Sequence, residues 1–169
     1  MKMAFYVTSL IVIINITLQS TLLQHFRLFG ILPNTSLLIV ISFALIWGNK
    51  KGAFIGVCVG LLQDILGGVL PGMNGVIYLL IGYNVGIFQR ILFKDSYLAP
   101  VLFTTVSTFL YYIIYYVIGV IIGLDISFVG LFKKVIFIET VYNSLLSILI
   151  YRFIYNLTNK PFMNSKVRR

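Results

Sequence analysis

Six apolar runs, each near the length that crosses a lipid bilayer, constrain this chain more than any other feature. They lie near residues 4 to 23, 34 to 48, 52 to 68, 72 to 93, 97 to 122 and 132 to 156. A helix needs about 20 apolar residues to cross the hydrocarbon core. Charged residues make up only 10% of the 169, against about 25% in soluble domains. We therefore predict an all-α polytopic membrane protein, with six transmembrane helices and residues 1–169 in one membrane domain.

The basic residues predict the orientation of these helices. Six spans place both termini on one side of the membrane, and that side receives most of the 13 Lys and Arg residues. They are Lys2, Lys50, Lys51, Arg90, Lys94, Arg152, Lys160, Lys166, Arg168 and Arg169. Because basic loops stay in the cytoplasm, we predict that both termini are cytoplasmic. The net charge of +9 also favours contact with anionic membrane lipids. The basic residues are scattered over several loops, which does not indicate nucleic-acid binding.

Few residues of this chain could support catalysis or metal binding. Cys58 and His25 are the single cysteine and the single histidine, which excludes an internal disulfide and a cysteine-cluster or polyhistidine metal site. The sequence has no Gly-x-Ser-x-Gly, phosphate-cradling loop or His-Glu-x-x-His motif. We expect no metal, no cofactor and no enzymatic activity.

Small residues recur at helical spacing in the third and fourth apolar runs. One stripe repeats every four residues: Gly52, Gly56, Gly60 and Asp64. A second set follows in the next run: Gly75, Gly82 and Gly86. Such faces let two helices approach closely. Joined by the connection from Gly67 to Gly72, they predict a tightly packed hairpin.

Two acidic residues lie inside the apolar runs, where a carboxylate costs a few kcal/mol unless it has a partner. Asp64 and Glu139 fall at comparable depths, and Glu139 begins a second polar stripe with Asn143 and Ser147. Asn15 and Gln19 form a similar pair in the first run. We expect these stripes to face one another, as structural hydrogen bonds, as a polar pocket, or as a proton or ion path. Four tyrosines near the outer end of the fifth run match an interfacial aromatic belt: Tyr111, Tyr112, Tyr115 and Tyr116.

The region around Asp64 resembles the central signature of the rod shape-determining protein MreD family. The matching residues are Gly56-x-x-x-Gly60-Leu61-Leu62-Gln63-Asp64-Ile65-Leu66-Gly67, then Pro71-Gly72-Met73-Asn74-Gly75, Tyr78 and Leu80-Ile81-Gly82-Tyr83. The resemblance implies a non-enzymatic subunit of the cell-elongation machinery in the bacterial cytoplasmic membrane. It implies direct binding to the membrane helix of MreC and, through MreC, association with MreB, RodA and a penicillin-binding transpeptidase. It also implies a fold like that of the substrate-binding subunits of energy-coupling-factor transporters.

The leading hypothesis is a scaffold in which the glycine hairpin and its neighbours form a rigid bundle that holds MreC. Its candidate structural and partner-binding residues are Gly56, Gly60, Asp64, Gly67, Gly72, Asn74, Gly75, Gly82, Gly86, Glu139 and Asn143. The alternative is a vitamin-binding transporter subunit with a pocket lined by Asp64, Asn74, Glu139 and the tyrosines. A third hypothesis makes the acids a conduit for protons or a lipid-linked precursor. A homodimer is left open.

Overall fold

Six α-helices make up the described part of the chain, and they coincide with the six apolar runs. The structure, a computed structural model, describes residues 2–27, 30–67, 70–90, 98–124, 136–161 and 163, and these ranges contain no β-strand. The helices are α1 Lys2–Ser20, α2 Thr35–Trp47, α3 Asn49–Gly67, α4 Met73–Ile87, α5 Leu98–Ile122 and α6 Ile136–Thr158. Short 3-10 helices follow α1 and α4, at Leu22–Phe26 and Phe88–Arg90. The predicted all-α class is confirmed.

Local signals set the ends of α2. The side chain of Asn34 caps the helix, with Oδ1 accepting from the Leu37 N–H at 3.0 Å. Gly48, at φ +86°, ends the helix in the left-handed region that favours glycine. Asn49 already begins α3, so the charged residues Lys50 and Lys51 lie in its first turn. Gly48 alone therefore separates the two helices.

The core of the bundle is α2. Every residue from 35 to 46 is buried, and α2 contacts each of the other five α-helices. Its 13 residues span only about 20 Å at 1.5 Å per residue. A helix that is apolar on all sides is typical of a position surrounded by other helices.

Among the described residues, three helices are long and apolar enough to cross a membrane by length and composition: Met3–Ser20, Leu98–Ile122 and Phe137–Thr158. Two shorter helices, Thr35–Trp47 and Met73–Ile87, are also apolar. The first of the long helices is the least enclosed, with 17% of Met3–Ser20 buried. These helices are typical of an integral membrane protein.

Candidate functional site

The glycine faces of α3 and α4 pack directly against each other. A Cβ added to Gly60 would lie 2.5 Å from the carbonyl carbon and oxygen of Asn74. A Cβ added to Gly56 would overlap the carbonyl oxygen of Tyr78. Real Cβ atoms essentially never come within 3.0 Å of such atoms, so only glycine fits at either position. The spacing correctly predicts this close hairpin.

The contact continues to the other end of the hairpin. A Cβ on Gly52 would lie 2.7 Å from the carbonyl oxygen of Gly82, and a Cβ on Gly82 would in turn overlap the Gly52 carbonyl. A Cβ on Gly86 would overlap the backbone of Asn49. The two glycine faces therefore bury each other along the hairpin, and backbone meets backbone.

Gly67 and Gly72 do not share this close contact, whereas Gly75 takes part in it through its backbone: a Cβ added to Gly60 would also lie 2.5 Å from Gly75 Cα. Gly67 ends α3, and an added Cβ there meets nothing within 4 Å. Gly72, at φ +90°, is the residue before α4 in the left-handed conformation. A Cβ on Gly75 would lie 3.1 Å from the Cδ2 atom of Leu61, a flexible side chain. Gly67, where neither a positive φ nor a close neighbour constrains the residue, is the matched control for the glycines in the interface.

Asp64 caps the N-terminus of α4 from the neighbouring helix. Its Oδ1 accepts from the Asn74 side-chain amide at 2.7 Å and from the Asn74 backbone N–H at 3.3 Å. Its Oδ2 accepts from the Gly75 N–H at 3.3 Å. The first N–H groups of a helix need acceptors, and Gly72 has no side chain to supply one. Asp64, only 5% exposed, takes that role at the positive end of the helix dipole.

Asn74 extends this cap to α5. Its Oδ1 accepts from the Tyr111 hydroxyl at 2.7 Å while its amide donates to Asp64. Tyr111 also packs its ring 5.8 Å from the Tyr78 ring and 5.1 Å from the Tyr112 ring. One polar cluster, Asp64–Asn74–Tyr111, therefore joins α3, α4 and α5.

A second cluster is centred on Asn34 and Asn143, which lie 109 residues apart in the chain. The Asn34 N–H donates to Asn143 Oδ1 at 2.9 Å, and the Tyr78 hydroxyl donates to Asn34 Oδ1 at 2.8 Å. The Asn143 amide donates to Thr108 Oγ1 at 3.2 Å and to Glu139 Oε1 at 3.3 Å. This cluster therefore ties α4, α5 and α6 to the start of α2.

The buried acids have separate partners. Glu139 accepts from the Tyr112 hydroxyl as well as from Asn143, whereas Asp64 accepts from the start of α4. The interfacial-belt prediction is wrong for Tyr111 and Tyr112, because both are buried with their hydroxyls bonded to polar groups of the bundle. The two tyrosines lie at the middle of α5, Leu98–Ile122, and not at its outer end.

The first polar stripe faces α2 and not the stripe of Glu139, Asn143 and Ser147, so the prediction that the two stripes face one another is wrong. Asn15 Nδ2 donates to Ser36 Oγ at 3.0 Å, and Ser36 Oγ donates to Gln19 Oε1 at 2.7 Å. Asn34 and Tyr78, which hold the second cluster together, are not among the candidate residues predicted from the sequence. Within the described ranges, no three His, Cys, Asp or Glu side chains converge as a metal site requires.

Removing the Tyr78 hydroxyl tests the second cluster. This hydroxyl lies 2.8 Å from Asn34 Oδ1 and 3.1 Å from Gln63 Oε1 in a fully buried position. We expect Tyr78→Phe to lower the free energy of unfolding by about 1–2 kcal/mol, because buried polar groups lose a partner. Thermal unfolding in detergent measures this. Tyr83→Phe, on the exposed face of the same helix, is the control, and equal melting of the two variants would contradict the expectation.

Comparison with known proteins gives the family. A family model described as rod shape-determining protein MreD matches residues 1–161. No curated protein and no solved structure matches the chain. The matched region includes the glycine hairpin, the Asp64 cap and the Asn34–Asn143 cluster. The chain therefore belongs to the MreD family of rod shape-determining proteins, a membership that implies a role in determining rod shape.

Proposed function

We propose that the chain is a non-enzymatic membrane scaffold that binds MreC and helps to organise lateral peptidoglycan synthesis. Membership of a shape-determining family is the observation that carries this proposal. MreC is the direct partner, and MreB, RodA and a penicillin-binding transpeptidase are reached through it. We also propose that the chain crosses the bacterial cytoplasmic membrane six times, as one membrane domain with both termini in the cytoplasm.

The packing of the hairpin supports a rigid body as the part of the scaffold that holds MreC. Gly56 and Gly60 bring two backbones into contact, and Asp64 fixes the end of α4. The glycine faces are thereby buried within the chain and cannot bind another helix. The motif residues therefore act on MreC indirectly, by holding the shape of the bundle. Ile65 and Leu66, on the exposed side of α3, are apolar surface of the kind on which a membrane helix packs by dispersion contacts.

The polar clusters favour the scaffold over the vitamin-binding alternative. Asp64 and Asn74 bond each other, and Asn74 also accepts from Tyr111. Glu139 bonds Tyr112 and Asn143 in the same way. A vitamin at this position would have to replace hydrogen bonds that join helices. Their loss would leave buried groups without partners at about 1–3 kcal/mol each.

Co-purification with MreC in detergent tests the scaffold. We expect Gly60→Leu to reduce recovered MreC by ~10-fold, because the new side chain overlaps the α4 backbone and forces α3 and α4 apart. Overpacking of this kind costs about 1–3 kcal/mol. Asp64→Ala is expected to act in the same direction by freeing the start of α4. Gly67→Leu, the same substitution at a position with no neighbour within 4 Å, should retain MreC. Undiminished recovery with both Gly60→Leu and Asp64→Ala would remove the role assigned to this segment.

A further inference from the structure

A groove of about 970 Å³ lies between α1, from Ala4 to Ile13, and α3, from Lys50 to Leu62. This volume is near the top of the ~300–1,000 Å³ range of ligand pockets. Phe5 and Val12 line it from α1, and Phe54, Cys58 and Leu62 line it from α3. None of these residues belongs to the glycine hairpin contact or to the polar clusters described above.

The groove exists because α1 is held to the bundle through its second half. Val12 and Ile16 are buried there, and Asn15 bonds Ser36 of α2. Towards the start of the helix, Phe5 and Tyr6 are 63% and 66% exposed. The first half of α1 therefore leaves an apolar cleft beside α3 that opens to the surroundings of the bundle.

The length of the groove corresponds to one leaflet. The α3 wall runs from Lys50 to Leu62, which is about 18 Å at 1.5 Å per residue. Half of the bilayer hydrocarbon is about 15 Å. A transmembrane helix crosses both leaflets, so the groove is too short to seat its full length, whereas an acyl chain of a single leaflet fits.

One end of the groove is positively charged. Lys50 and Lys51 both line it, and the residues that line it in the described part of the chain include no Asp or Glu. The Lys51 ammonium lies 5.3 Å from the centre of the Trp47 ring, a cation–π distance. Trp47, half-buried against Phe43, is typical of an interfacial anchor at headgroup level. The charged end of the groove therefore corresponds to the headgroup of a phospholipid, and the apolar wall corresponds to its acyl chain.

We propose that this groove binds one anionic phospholipid of the cytoplasmic leaflet. Its phosphate lies at Lys50 and Lys51, and one acyl chain lies along Phe54, Cys58 and Leu62. The lysines select an anionic headgroup, because each basic residue near the surface strengthens binding to anionic lipid. The apolar wall binds the acyl chain and does not select the headgroup.

Quenching of Trp47 tests this site directly, because Trp47 is the single tryptophan of the chain and lines the groove. Phosphatidylglycerol with brominated acyl chains is titrated into the detergent-purified protein, in parallel with phosphatidylcholine carrying the same chains. We expect half-quenching by phosphatidylglycerol at a ~30-fold lower mole fraction, from two lysines at the usual strength of such contacts. Lys50→Ala/Lys51→Ala should abolish this preference, and Lys50→Arg/Lys51→Arg should keep it.

The controls separate a site from general attraction to a basic protein. Lys133→Ala/Lys134→Ala removes the other adjacent lysine pair of the chain and should leave the preference intact. Cys58→Phe, which narrows the groove, should weaken quenching by both lipids, whereas Leu102→Phe, at an exposed residue that does not line the groove, should not. Equal quenching by the two headgroups, or a preference that survives Lys50→Ala/Lys51→Ala, would overturn the proposal. So would shielding of Trp47 by added MreC without any headgroup preference, because a protein helix would then be the occupant.

Discussion

Replacing Gly56 by leucine is expected to lower the free energy of unfolding by about 3 kcal/mol, the upper part of the usual range for overpacking. Even the first carbon of the new side chain would overlap the carbonyl oxygen of Tyr78. That oxygen belongs to the α4 backbone and cannot rotate away as a side chain can. Relief therefore requires the whole of α4 to move from α3. For a chain of this size, the melting temperature should fall by roughly 6–12 °C.

Gly67→Leu is the matched control for this substitution. It adds the same atoms to the same helix at a position where an added Cβ meets nothing within 4 Å. Leucine is also a better helix former than glycine, so the control should melt at or slightly above the wild-type temperature. Equal destabilisation by Gly56→Leu and Gly67→Leu would show that the close contact of α3 with α4 is not what makes Gly56 necessary.

Asp64→Ala is expected to lower the free energy of unfolding by about 3 kcal/mol or more, because it removes the acceptor of three buried N–H donors. Each unsatisfied donor costs about 1–3 kcal/mol. Those donors are the backbone N–H groups of Asn74 and Gly75 and the side-chain amide of Asn74. Asp64→Asn keeps one acceptor oxygen and presents an amide to the remaining donor, so it should lower the free energy of unfolding by less than Asp64→Ala does. Thermal unfolding in detergent orders the three proteins as wild type, Asp64→Asn and Asp64→Ala, from most to least stable.

Asn84→Ala is the control for a polar side chain on the same helix. Asn84 is exposed and donates to the carbonyl of Leu80 within α4, so the free energy of unfolding should fall by less than about 0.5 kcal/mol. If the Asp64→Ala protein melts like the wild type but no longer recovers MreC, the capping role assigned to Asp64 is contradicted. The acid would then have to act at the partner surface.

The helices and the hairpin could be predicted because their signals are local. Run length alone identified the six helices, and a four-residue spacing of glycines places them on one helix face whatever the rest of the fold does. The burial of Asp64 followed from the cost of a carboxylate in apolar sequence. These inferences needed no knowledge of which helices are neighbours across the bundle.

The partners of the polar groups could not be predicted, because they depend on distances set by packing. Asp64 reaches the start of α4 since Gly60 lets Asn74 approach, and no spacing in the sequence distinguishes that partner from Glu139. Asn34 and Asn143 meet across 109 residues. The tyrosines of the fifth run were predicted to be interfacial, yet Tyr111 lies at the middle of α5 and its hydroxyl donates to Asn74 on another helix.

The melting temperature of the isolated Gly60→Ala protein, measured in detergent without MreC, tests the central claim most directly. The claim is that the glycine motif works inside this chain and supports MreC binding only through the shape of the bundle. One added carbon would lie 2.5 Å from the Asn74 carbonyl. Overpacking of about 2 kcal/mol should therefore lower the melting temperature by roughly 4–8 °C, with MreC recovery falling in parallel. An unchanged melting temperature together with lost MreC recovery would contradict the claim and place the glycine face at the partner.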